Sequence, residues 1–64
     1  MKMTIREVLE KLASDGWNQV KQEGSHRQFK HAVKPGKVTV AGHPKDMLHP
    51  KTLNSIFRQA GWMK

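Results

Sequence analysis

Apolar residues recur at helical spacing near both ends of the chain and alternate with polar ones in its middle. In "TIREVLEKLASDG", residues 4–16, Ile5, Val8, Leu9, Leu12 and Ala13 fall on one face of a predicted helix. Thr4 and Glu7 have the spacing of a capping box, in which each side chain satisfies an orphan backbone amide. Gly16 stands where that helix stops. The second helical pattern is "PKTLNSIFRQAG", residues 50–61, with Pro50 near its start and Gly61 past its end. Its apolar face is Leu53, Ile56, Phe57 and Ala60. Between the helices, "WNQVKQEG" reads as a first strand with poor alternation, Trp17 and Val20 being its only large apolar residues. "SHRQFKHAV" reads as a second strand and "KVTVAGH" as a third, joined by a "KPGK" turn. "HPKDMLHP" is irregular, because each histidine before a proline is pushed away from helical geometry. The order α-β-β-β-α predicts an α+β fold, with two helices on one face of a three-stranded antiparallel sheet. Residues 1–64 form one domain in this reading, and the other sheet face is open to solvent.

The turn suggests a register. With Pro35 and Gly36 at its centre, Val33 faces Val38 and His31 faces Val40. Phe29, His31 and Val33 then point to the core. His26, Gln28, Lys30 and Ala32 point to the open face, joined by Thr39, Ala41 and His43, with His43 opposite Gln28. Trp17 and Trp62 are expected to cover the ends of the core, and Met47 and Leu48 to pack as a lid on the second helix.

A chain of 64 residues has a modest core, so an enclosed substrate cavity is not expected. The absence of cysteine excludes disulfides and thiolate metal sites and fits a reducing compartment. The N-terminal pattern is amphipathic and contains acids, unlike a secretory leader, and no apolar run approaches a membrane span. A cytoplasmic protein, monomeric when free, is the expectation.

The charge of +7 is unevenly placed. Residues 1–23 are balanced, whereas residues 24–64 carry eight Lys and Arg against Asp46 alone. A one-sided basic surface attracts polyanions, nucleic acid first. His26 and His31 point to opposite faces, and His43 and His49 lack a surrounding carboxylate set, so no metal site is expected. The scattered carboxylates likewise disfavour a two-metal nuclease. Ser25 and His26 are adjacent in an extended strand and point apart, which leaves a serine-histidine-carboxylate triad unsupported.

"GSHRQF" at residues 24–29, the "TVAGH" third strand and the closing "KTLNSIFRQAGW" resemble the HicA family of toxin ribonucleases. The resemblance covers nearly the whole chain, with Ala41 where the family often has proline. It implies a fold like the double-stranded RNA-binding domain. It implies cleavage of mRNA without the ribosome, which halts translation and growth. It also implies catalysis by the histidine of the "GSH" motif, His26, and a HicB antitoxin as protein partner.

Such chemistry needs no cofactor. RNA carries its own nucleophile, the 2′-hydroxyl, and the enzyme must move protons and hold phosphate. Histidine exchanges protons near neutrality. The Gly24 and Ser25 amides and hydroxyl can bind phosphate oxygens, and Arg27, Lys30, Lys34, Lys37 and Lys45 can hold neighbouring phosphates. His43 is a candidate second proton carrier or phosphate ligand. Two other functions fit the basic half: a non-catalytic RNA-binding module, and a protein-interaction domain for an acidic partner.

Overall fold

The computed structural model describes residues 2–63. Its elements are α1 (Ile5–Ser14), β1 (Trp17–Glu23), β2 (His26–His31), β3 (Lys37–Ala41) and α2 (Pro50–Gln59). The three strands form one antiparallel sheet in sequence order. The expected α-β-β-β-α fold is therefore present.

The local signals act as the sequence implies. Glu7 N–H donates to Thr4 Oγ1 at 3.2 Å and Thr4 N–H to Glu7 Oε1 at 2.8 Å, completing the capping box. His49 caps α2, its Nδ1 accepting from Lys51 N–H at 3.2 Å, with Pro50 in the first turn. Ile5, Val8 and Leu12 of α1 meet Leu53, Ile56, Phe57 and Ala60 of the second helix and its cap, over Trp17, Phe29, Val38 and Val40 of the sheet. Leu9 is half-buried against this cluster, whereas Ala13 is exposed and lies outside it. Leu48 is buried, but Met47 is 60% exposed and pairs through its backbone with Thr4, so only half of the expected lid forms. No helix among the described residues is long and apolar enough to cross a membrane.

The register departs from the tight-turn expectation. Phe29 faces Val38 and Arg27 faces Val40; Thr39, not His43, lies opposite Gln28. Strand β2 ends at His31, and residues 32–36 make a wider connection, leaving Val33 85% exposed. The cause is His31. Its Nδ1 accepts the N–H groups of Val33 and Lys34 at 3.0 and 3.1 Å, which curls the chain off the ladder. Its other nitrogen, Nε2, lies 2.7 Å from the Asp15 carbonyl and is therefore the protonated one. The displacement is an even number of residues, so each side chain that remains in the ladder keeps its face, whereas Ala32, Val33 and His43, expected in the strands, lie outside them. A second irregularity, a bulge between Gln19 and Lys21, leaves Val20 unpaired and 56% exposed. It accounts for the poor alternation of this segment.

Asp15 locks the end of the molecule around His31. Its carboxylate accepts from Lys34 Nζ at 2.6 Å, Trp62 Nε1 at 2.9 Å and Trp17 Nε1 at 3.1 Å. The Lys34 ammonium foremost, then the two indole donors, hold its carboxyl at about 2, below the ordinary 3.8. Trp17 meets His31 edge-on, and Trp62 meets Phe57 in the same way with the Lys11 ammonium 4.9 Å from its ring. Both tryptophans thus cover the ends of the core, as expected from the sequence.

Candidate nucleic-acid interface

Pairing fixes which side chains share the face that the helices leave open. From β2 they are His26, Gln28 and Lys30; from β3 they are Ala41, Thr39 and Lys37. On the other flank, Glu23 lies opposite His26, Lys21 opposite Gln28 and Asn18 opposite Lys30. His26 is exposed, and neither ring nitrogen has a hydrogen-bond partner among the described residues. It lines a shallow cleft of about 260 Å³ with Lys21, Glu23, Gln28 and Thr39.

A two-residue turn places His26 there. Gly24 and Ser25 join β1 to β2, and Gly24 takes φ +58° while no non-glycine residue among those described has positive φ. That is the pattern of a type II′ hairpin, whose first central position favours glycine. A Cβ at Gly24 would meet nothing within 4 Å, so the requirement is conformational and not steric. The turn is braced from β3: Gly42 N–H donates to Ser25 O at 3.2 Å, and Arg27 Nη1 donates to Gly42 O at 2.9 Å. Gly42 is itself fixed, since a Cβ there would stand 2.5 Å from Ile5 Cδ1.

The expected phosphate contacts separate into two groups. Lys30 and Lys37 oppose each other directly on the open face, both exposed, and concentrate positive charge four residue pairs along the sheet from His26. Gly24 and Ser25 sit at the other end of the strand, in the turn beside His26. The others are placed differently. Arg27 is half-buried and bonded to Gly42, and the Lys34 ammonium is held between Asp15 and the Ala60 carbonyl. Lys45 is exposed in the segment after β3. His43 is exposed in the same segment, its N–H bonded to Asp46 Oδ2 at 3.2 Å, and it does not line the His26 cleft.

Two residues of the cleft escaped sequence reasoning, Lys21 and Glu23. Their positions follow from the bulge and the two-residue turn; the signal for Glu23 was its distance of three residues from His26 across Gly24. An ion pair of 2.8 Å joins the two side chains. Among the described residues, no three His, Asp or Glu side chains are grouped closely enough to hold a metal ion. A larger cleft of about 420 Å³ lies at the opposite end, between Lys34, Pro35 and residues 58–61, and contains no histidine or carboxylate.

The sequence description "HicA toxin of bacterial toxin-antitoxin" matches residues 5–62, which span both helices and all three strands. No curated protein matches the chain. With more than half its length matched to that one description, the chain belongs to the HicA toxin family of bacterial toxin–antitoxin systems.

Proposed function

We propose that this toxin is an endoribonuclease that cleaves mRNA without the ribosome or a metal ion, with His26 as its general acid/base, and that a HicB-type antitoxin blocks it. The observation that carries this reading is the exposure of His26 on a lysine-bearing face, with both ring nitrogens open to an incoming substrate. A surface of this kind suits a long polyanion, which needs no enclosed pocket. RNA lying across Lys30 and Lys37 brings a phosphodiester over the cleft, where the imidazole exchanges a proton with the ribose or the leaving oxygen. Proton transfer by one positioned group typically contributes about 10²–10⁴-fold to the rate. Gly24 and Ser25 contribute amide and hydroxyl donors to the same phosphate.

The antitoxin part of the proposal follows from the same face. A protein that covers the His26 cleft and presents carboxylates to Lys30 and Lys37 excludes RNA by occupancy and by charge. Purified protein is expected to cleave single-stranded RNA in excess chelator, leaving a 2′,3′-cyclic phosphate end. The His26→Ala variant is expected to keep its melting temperature and RNA affinity but to lose cleavage. Undiminished cleavage by that variant would remove the histidine from the mechanism. RNA retention without turnover by the wild-type protein would indicate a binding module instead.

A further inference from the structure

Cleavage through the 2′-hydroxyl moves two protons: one leaves the nucleophile, and one reaches the departing 5′-oxygen. His26 is the sole imidazole of the cleft. The expected helper, His43, lies outside it. The residue directly opposite His26 is Glu23, the partner that closes the two-residue turn. Side chains so paired have Cβ atoms about 5 Å apart, within reach of one bound nucleotide. Glu23 is also the one carboxylate on the open face among the described residues. Glu7 is engaged in the capping box, Glu10 lies on α1, Asp15 in the corner lock and Asp46 against His43.

We infer that Glu23 is the general base of this site and His26 its general acid, an assignment that rests on the ribonuclease reading above. Carboxylates are ordinarily ionised near neutrality and imidazole can carry a proton there, so the pair divides the work in one sense. The Glu23 carboxylate takes the 2′-hydroxyl proton, and the 2′-oxygen bonds to phosphorus. The bond from phosphorus to the 5′-oxygen breaks, and the protonated His26 ring gives its proton to that oxygen. The products are a 2′,3′-cyclic phosphate and a 5′-hydroxyl, with one proton transferred in and one out. Lys21, held to Glu23 at 2.8 Å, orients the carboxylate and places an ammonium beside the phosphate. The charged and titratable groups facing Glu23 are this lysine on its own strand and His26 on β2; on its other side β1 is a sheet edge.

The test compares wild type, Glu23→Gln and His26→Ala on two RNA substrates. One has an ordinary linkage. In the other, sulfur replaces the 5′-oxygen, and its thiolate departs without a proton. On the ordinary linkage both variants are expected to lose about 100-fold or more in rate with unchanged melting temperature. On the sulfur linkage His26→Ala recovers most of its rate and Glu23→Gln does not. The acidic limb of the pH–rate profile disappears in Glu23→Gln. Partial activity in Glu23→Asp separates a chemical role from a structural one, and that variant also serves if Glu23→Gln fails to fold. Full activity of Glu23→Gln beside an inactive His26→Ala overturns the Glu23 assignment alone. Recovery of Glu23→Gln on the sulfur linkage reverses the roles. A wild type that cleaves neither substrate overturns the ribonuclease reading itself.

Discussion

His26 and His31 terminate the same six-residue strand, and their surroundings differ in every respect that bears on chemistry. The His31 ring is held by three hydrogen-bond contacts, to Asp15 O, Val33 N and Lys34 N, and packs edge-on against Trp17. Its tautomer and orientation are fixed, and its neighbours Lys34 and Asp15 are bonded to each other. The His26 ring stands on the solvent face with no hydrogen-bond partner among the described residues, opposite the Glu23 of an ion pair and on the same face as the Lys30–Lys37 pair. One end of the sheet therefore uses its polar groups to close the fold. The other leaves them available to a ligand. In a chain this short, the same residue type is a tie at one end and an exposed, unbonded ring at the other.

The two ends should respond oppositely to substitution. The largest effect expected is on cleavage by His26→Ala, a loss of about 10²–10⁴-fold, with a thermal melt matching wild type. Loss of stability in that variant would break the comparison at its open end. Next comes His31→Ala. It strips two amides and a carbonyl of their partner and is expected to lower stability by about 1–3 kcal/mol in urea unfolding. Cleavage by its folded fraction should stay near wild type.

Acid sharpens the same contrast. The Asp15 carboxyl titrates at about 2 in the fold against an ordinary 3.8. Because the folded value is the lower one, its bonds stabilise the protein above about pH 4 and are lost as pH falls through about 2. The difference in melting temperature between wild type and Asp15→Asn should be largest near neutrality and shrink across that window. A constant difference would show that the charge on Asp15 contributes nothing. The smallest effect belongs to the open face. Lys30→Ala and Lys37→Ala should each weaken RNA binding modestly and reduce the salt slope of log K by about 1, whereas Lys34→Ala should lower stability and leave that slope alone.

Much of this division was legible in the sequence, for a physical reason. The face on which a strand residue lies depends on parity alone, so His26, Lys30 and Thr39 keep the open face although the β2–β3 register differs from the "KPGK" expectation. Capping residues and apolar spacing act locally, so the helices follow from Thr4, Glu7, Pro50 and their apolar stripes. The register was not legible, because the curl at Val33 and Lys34 depends on His31 and on Asp15, nineteen residues before Lys34. The family resemblance drew attention to His26, but Glu23 emerged only from pairing. Two residues separate it from His26 along the chain, and only the II′ turn at Gly24 sets them face to face. Arg27 and Lys34 counted in the sequence as basic residues for phosphate. Bonds to Gly42, Asp15 and Ala60 give them structural roles that charge counting does not register.

The most direct test measures cleavage rate and melting temperature together, for His26→Ala and His31→Ala, on one RNA in chelator. The account requires the two variants to separate: His26→Ala melts like wild type and does not cleave, and His31→Ala melts early and cleaves while folded. Cleavage by His26→Ala at the wild-type rate, or loss of cleavage confined to a fully folded His31→Ala, would contradict it.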